Sequence, residues 1–413
     1  LGWSRGLGDV YKRQGIGSSR LLSRALLHEA LPDLRSDVSG GVAYSDGQFD
    51  DARLNLLMAL SAEQHGAIVR TQTPVVELEK DNHGKVCGAI SENPGGQRER
   101  WQARVVVNAT GIHADALRRM AEPDCQERML TSRGVHVVLK QCLCPQRIGL
   151  LLPSTDDGRV LFMLPFFGRT LVGTTDTPCT HPQAAVPSDQ EQSYLLNYVK
   201  RWFPGLNSID VGSCWAGGRP LLKPADTGMN SSRVVREHEV ETLPSGLVSV
   251  MGGKWTTCRP MALDTLTAVA KQLGQSLPAR RDLPLIGADA NPLQTPNRLI
   301  SQRSTLQDLL PKSPQQAQQI EHLESGHGLN AEALVNSWSE EEREPLSPVM
   351  PICRGELRHA VETEKARSVT DVLARRTRLA MVDRDEAQRL APVVNQVLEQ
   401  CGHGNSTPLD LNH

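Results

Sequence analysis

Apolar positions change their period along the chain, and the changes mark out its elements. Leucines at helical spacing from Leu21 to Leu31, closed by Pro32, predict a helix. Ala52 to His65 predicts a second, opened by a turn and N-cap within Ser45 to Asp51 and ended by Gly66 as its C′ residue. Ala67 to Thr71 and Pro74 to Lys80 read as strands, and Asn82-His83-Gly84 as a hairpin turn into Val86 to Ser91. This is a βαβ-like unit carrying a small β meander. From Ser132 to about Glu241 the pattern shifts to short strands separated by turn signals, such as Asp156-Asp157-Gly158 before Val160 to Leu164. A separate, mostly antiparallel sheet is predicted there, interrupted by an amphipathic helix from Asp189 to Phe203 with Ser188 as its cap. The Pro/Gln/Ser-rich stretch from Gln275 to Gln319 has weak periodicity and reads as a linker with some helix. From Arg354 onward the pattern is helical and basic, with Arg367, Arg375, Arg376 and Arg378 set among Val369, Val372, Leu373 and Leu379. A membrane-surface helix has this pattern, but a small cap domain is the preferred reading.

Chemistry concentrates where strands meet glycine and a cation. Leu247 to Met251 runs into Gly252-Gly253-Lys254-Trp255-Thr256-Thr257 and then into a helix from Pro260 to Leu273. Paired glycines let backbone approach a ligand, and the helix start behind them offers unpaired N–H groups and a positive dipole end. Lys254 adds charge, and Thr256 or Thr257 can cap the helix. Upstream, Val211 to Trp215 is read as a strand emptying into Ala216-Gly217-Gly218-Arg219-Pro220-Leu221, where the planar fork of Arg219 could grip a phosphate or carboxylate. A third strand, Ala103 to Val107, ends in Asn108-Ala109-Thr110-Gly111 ahead of a helix near His113. On a fourth, Ser132 to Leu139, His136 alternates with apolar neighbours. Singly, each has a plain structural explanation: a tight connection, a surface lysine or arginine, a satisfied core histidine. Together they predict one cleft for an anionic, electron-rich ligand.

Composition narrows the options. The 413 residues suffice for two or three domains, and 39% hydrophobic with 22% charged content is ordinary for a globular protein. A formal net charge of −2 provides no basic field for nucleic acid, so none is expected as a partner. The nine cysteines form no CxxC pair, which argues against zinc or iron–sulfur sites, and no metal is expected. Scattered cysteines without a secretory leader suggest a reducing compartment, and no apolar run reaches bilayer length, so any membrane contact would be peripheral. Residues 1–14 share no periodicity with the rest of the chain and read as a foreign or badly joined end.

Six stretches carry a family resemblance: Tyr44 to Leu54, Val107 to Gly111, Ser132 to His136, Val172 to Thr177, Gly218 to Leu221 and Gly252 to Thr257. They resemble the FAD-dependent glycerol-3-phosphate dehydrogenases, respiratory enzymes that pass electrons to quinone. The likeness runs from about Leu21 to Leu398, and Glu364 to Leu379 resembles that family's helical C-terminal domain, which simpler amine and amino-acid oxidases of the superfamily lack. The resemblance implies an α/β (α+β) fold. An incomplete FAD-binding Rossmann-like domain would occupy 15–131 and 246–274, with an inserted antiparallel substrate domain at 132–245, a linker at 275–319 and a helical domain at 320–405. It implies FAD across Ala109, Thr110 and Gly111 and across Gly252, Gly253, Lys254, Trp255 and Thr256, with Val75 on the adenine side. Arg219 and Lys254 would hold the substrate, sn-glycerol 3-phosphate. His136, at a pKa near neutrality, would take the C2 hydroxyl proton while hydride leaves C2 for flavin N5; Arg219 or Lys254 is the alternative proton partner. Dihydroxyacetone phosphate would be the product. Quinone as acceptor, peripheral attachment to the cytoplasmic face of the inner membrane, and a homodimer are family expectations of the same kind.

Two departures qualify this. The family opens with a strand and a Gly-x-Gly-x-x-Gly turn for the FAD pyrophosphate, whereas Gly15-Ile16-Gly17-Ser18-Ser19-Arg20 lacks both the preceding strand and the spacing. A flavoenzyme fragment that binds FAD poorly, with exposed edges on its parallel sheet, is therefore expected. Cys258 also stands where a tyrosine commonly follows the threonine pair. The alternatives are an amine or 2-hydroxy-acid oxidase of the same superfamily, or an inactive fragment unable to hold FAD.

Overall fold

The computed structural model describes residues 18–145, 148–223, 237–277, 283–404 and 408–411. The end at 1–14 and residues 15–17 of the glycine motif lie outside them. Strands β1 (Arg20–Ser23) and β2 (Gly40–Ala43) form an antiparallel ribbon flanking helix α1 (Arg24–Ala30). The helix expected from Leu21 thus starts later, because the Ser23 hydroxyl caps it by accepting from the Leu26 amide at 3.4 Å. Helix α2 (Asp51–Gln64) is opened by Asp50, whose carboxylate accepts from the Arg53 amide at 3.2 Å. Gly66, at φ +92°, follows its end, as the pattern predicts. The meander β3 (Val75–Lys80), β4 (Val86–Glu92) and β5 (Arg98–Gln102) is antiparallel. Ala67 to Thr71, read as a strand, pairs with no strand among the described residues, and Ile68 is 67% exposed.

Strand β6 (Val107–Asn108) leads into helix α3 (Ala114–Ala121). The long strand β7 (Met129–Leu139) then centres an antiparallel sheet with β8 (Leu150–Leu152), β9 (Leu161–Phe166), β10 (Arg169–Gly173) and β11 (Thr177–Pro178). Helix α4 (Asp189–Trp202) packs Leu195 and Val199 against Val135, Val137 and Met163 of this sheet, all of them buried. Its start is a capping box, Ser188 and Glu191 satisfying each other's backbone amides. Strand β12 (Val211–Leu222) pairs with β7 along its whole length. Strand β13 (His238–Thr242) lies antiparallel to β14 (Val248–Gly252), which runs parallel to β6 and precedes helix α5 (Cys258–Gln272).

The rest is helical: α6 (Thr295–Leu309), α7 (Gln316–His327), α8 (Ala331–Ser337), α9 (Arg354–Glu362), a π-helical turn at Asp371–Arg376, α10 (Leu379–Val382) and α11 (Arg384–Gln400). The stretch 275–319, read as a linker with some helix, contains α6, whose Leu306 is buried with Leu310, Ile320 and Leu323 in one cluster. Its period was hidden by buried glutamines. Gln302 and Gln319 lie inside because their amides donate to Gly328 O at 3.0 Å and Arg343 O at 2.8 Å.

Helix α2 and the helical region are joined by a buried ion pair. Arg53 grips Glu364 in a fork, Nη1 to Oε2 at 2.9 Å and Nη2 to Oε1 at 2.5 Å. Burial alone would raise the Glu364 carboxyl; hydrogen bonding to His359 and the charge of Arg53 outweigh it and hold its pKa at about 2. Since that value lies below the ordinary one, the pair stabilises the fold above the unfolded-state pKa and loses its effect as pH falls towards 2. Glu364→Gln should therefore cost about 3–5 kcal/mol in urea unfolding at neutral pH. The gap from wild type should narrow on acidification through the carboxylate range; a gap independent of pH would contradict the assignment.

Candidate functional site

Parallel pairing of β6 with β14, Val107 opposite Val248 and Asn108 opposite Ser249, brings two glycine turns together beyond the carboxyl ends of the strands. That is where open α/β sheets present a ligand crevice. Gly111 (φ +59°), Gly252 (+70°) and Gly253 (+81°) all take the left-handed backbone. Buried Asn108 shapes the first turn: its amide nitrogen donates to Ala114 O at 2.9 Å and Ser249 Oγ at 3.2 Å, and its oxygen accepts from Thr110 Oγ1 at 2.7 Å. Ala109 and Thr110 are left exposed, and at Gly111 there is open space where a side chain would start. Val75 lies at the start of β3, opposite Ser91 and 40% exposed.

The second turn closes more tightly than its sequence suggests. The Gly253 amide donates to Glu237 O at 3.2 Å and the Lys254 amide to Thr257 Oγ1 at 3.2 Å. Thr257 therefore braces the turn instead of capping α5 with its hydroxyl, and a short 3₁₀ turn, Trp255–Thr257, intervenes. The Trp255 and Thr256 amides have no hydrogen-bond partner among the described residues, and Trp255 Nε1 is buried without one.

His136 and Arg219 share one face of the neighbouring sheet. Across the β7–β12 pair, Trp215 lies opposite His136, Gly217 opposite Gly134 and Arg219 opposite Ser132. The strand expected to end at Trp215 thus continues through the glycines. They serve the sheet's surface: a Cβ on Gly134 would stand 2.5 Å from Arg219 Nη2, and one on Gly218 would stand 2.9 Å from Ala184 Cβ. Arg219 is aimed by three groups to which the sequence pattern assigns no role. Its Nη1 pairs with Asp176 Oδ1 at 3.2 Å, and its Nη2 donates to Thr174 Oγ1 at 3.0 Å and Thr175 O at 2.9 Å. The polar run after Gly173 was the available signal, and Ser132 secures Asp176 from the β7 side.

The imidazole of His136 stacks on Trp215, ring centres 4.6 Å apart at 21°. Its Nδ1 is buried without a hydrogen-bond partner. The near-neutral pKa expected for it is corrected: burial first, then the charge of Arg219, push it down to about 4, with Asp51 opposing. At neutral pH the ring is uncharged. Lys254 is exposed at the neighbouring turn, and nothing among the described residues ties its ammonium group to His136 or Arg219.

A family model described as FAD dependent oxidoreductase matches residues 2–262. The chain belongs to the FAD dependent oxidoreductase family. A second model, the C-terminal domain of alpha-glycerophosphate oxidase, matches residues 279–403. The chain is 34% identical over 409 residues to the probable mitochondrial glycerol-3-phosphate dehydrogenase of Dictyostelium discoideum, covering 94% of this chain and 62% of that one. It is 33% identical over 405 residues to the mitochondrial glycerol-3-phosphate dehydrogenase of Homo sapiens, covering 93% and 54%. The chain therefore spans between 54% and 62% of the length of these two curated relatives. Among solved structures, the glycerol-3-phosphate dehydrogenase from Bacillus halodurans complexed with FAD superposes with a TM-score of 0.80 at 27% identity, covering 93% of this chain and 76% of that one. The expected fold class, with its antiparallel sheet and helical C-terminal region, is the one found.

No helix among the described residues is long and apolar enough to cross a membrane. The one described cluster with metal-ligand spacing, His327, His359 and Glu364, already holds a cation: Arg53 Nη2 lies 2.5 Å from Glu364 Oε1 and 3.1 Å from His327 Nδ1. Proton NMR of the His136 ring should give a titration midpoint near 4. A midpoint at or above the free-histidine value, about 6.5, would show that burial and Arg219 do not control it.

Proposed function

We propose that the chain carries the substrate and part of the cofactor site of an FAD-dependent sn-glycerol-3-phosphate dehydrogenase, forming dihydroxyacetone phosphate and passing electrons to quinone. The observation that carries this reading is the pairing of an oriented cation with an uncharged imidazole on one sheet face. The relatives named above supply the substrate. FAD fits the residues present: exposed backbone at Ala109, Thr110 and Gly111, unpartnered amides at Trp255 and Thr256, and the α5 N-terminus behind Gly252 and Gly253 suit an anionic, electron-accepting group. Val75 would touch its adenine side. When bound, FAD supplies the hydride acceptor.

The remaining work falls to side chains. Arg219, its fork set by Asp176 and Thr174, offers planar donors to the phosphate or hydroxyl, and Lys254 adds a mobile second charge. His136 takes the proton of the C2 hydroxyl as the C2 hydride departs. Burial disfavours its charged form, so a phosphate nearby would help it accept that proton. Quinone as onward acceptor calls for peripheral contact with the membrane that carries it.

The test is anaerobic addition of sn-glycerol 3-phosphate to the FAD-loaded protein. Loss of oxidised-flavin absorbance supports the reading; retained absorbance, or loss only with a 2-hydroxy acid or amine, overturns it. Arg219→Lys should lower kcat/KM at least tenfold, about 1.4 kcal/mol, because a point charge cannot replace the fork. Gly134→Ala should leave the melting temperature close to wild type, since its new methyl group meets side-chain atoms and no backbone, namely the Arg219 guanidinium and Thr174 Oγ1. It should nevertheless raise KM about tenfold by displacing that guanidinium; an unchanged KM would remove Arg219 from the substrate site.

A further inference from the structure

Beside the substrate sheet, one short segment of the helical region makes contacts that converge on His136. Ser213 Oγ donates to Ala380 O at 2.8 Å, Trp215 Nε1 donates to Met381 O at 3.3 Å, and Arg169 pairs with Asp383 at 3.1 Å. Gly212 admits no side chain, because a Cβ there would stand 2.5 Å from Val382 O. The segment is therefore seated directly on the stretch of β12 that carries Trp215. One residue before α10, Arg378 holds a left-handed backbone at φ +66°, a conformation that L side chains rarely adopt. Its guanidinium, only 10% exposed, reaches Asp50 and Asp51 at the start of α2, each at 3.4 Å. A glycine or asparagine would suit that backbone better, so the side chain is what the position uses.

We propose that Arg378–Asp383 is a positioning element for His136, holding Trp215 against the imidazole through Met381 and holding Asp51 in place through Arg378. The inference deepens the reading of His136 as the proton acceptor and rests on it for its catalytic meaning. Trp215 from β12 and Gly173 from β10 touch the imidazole, and the charges acting on it are those of Arg219 on β12 and Asp51 on α2. Of these, Trp215 bonds directly to the helical region and Asp51 is paired with it. The C-terminal helices would then set both the placement of the base and the balance of charge around it.

Three variants test this, read first by NMR titration of His136 in protein without FAD or substrate. Asp51→Asn, at a carboxylate 65% exposed and therefore tolerant of change, should lower the midpoint. Arg378→Gln should raise it, because Asp51 loses the cation paired with it and its negative charge is left uncompensated. Trp215→Phe keeps the stacking and loses the Met381 bond. It should slow flavin reduction by sn-glycerol 3-phosphate about tenfold while KM stays within about twofold, the signature of a misplaced base rather than lost binding. Unmoved midpoints in folded Asp51→Asn and Arg378→Gln overturn the proposal. So does a Trp215→Phe protein that is only less heat-stable. Shifted midpoints in a protein whose flavin ignores sn-glycerol 3-phosphate would uphold the positioning role and sink the assigned reaction, so the two readings fail separately.

Discussion

Antiparallel pairing puts directly opposed residues on one face of a sheet. Once Trp215 lies across from His136, the chain has no freedom over where Arg219 goes: it must lie across from Ser132, on the same face, with Gly134 and Gly217 between. The pairing of β7 with β12 therefore makes the site. The two intervening glycines keep the space above the ladder clear, and the guanidinium folds down into it beside the polar run after β10. Pro220 is tolerated because, among the described residues, β12 pairs only with β7 in this sheet, so the position without an N–H can face the outer edge.

Charge is arranged around this geometry with opposite signs at successive points along α2. Asp50 and Asp51 point to Arg378, and Arg53 points to Glu364. Both sets cross from the start of that helix to the helical region. A reversed register would put like charges together, so the pairs specify one docking arrangement more than they add net stability. Removing one partner of the Arg53–Glu364 pair is costly because the other stays buried. The same contrast governs His136, where burial and Arg219 act together to keep the ring uncharged and only Asp51 opposes them.

Local chemistry was readable in the sequence and long-range demands were not. The Asp50 and Ser188 caps, Gly66, and the glycine turn after Asn108 follow from residues within one turn of each other. Gly217 and Gly218 were misread because glycine before a cation normally signals a turn, whereas here both lie within β12, and small size is required at Gly218 by Ala184. The periods of α6 and α7 were hidden because Gln302 of the first and Gln319 of the second are inside, satisfied by carbonyls far along the chain. Arg53 and Glu364 are separated by 311 positions, and nothing next to either announces the other. The pKa of His136 was missed for the same reason, since its burial comes from Trp215 and Gly173 on other strands.

The turn after β14 has a thermodynamic consequence. Gly253 and Lys254 have already committed their amides to Glu237 and Thr257, so the loop holds its shape without an occupant. An anion arriving at the α5 entrance has little chain entropy left to remove, and association there need not wait on loop ordering. Stiffening the loop further, with a proline or a cross-link, would gain almost nothing. Tighter binding would have to come from new donors directed at the occupant.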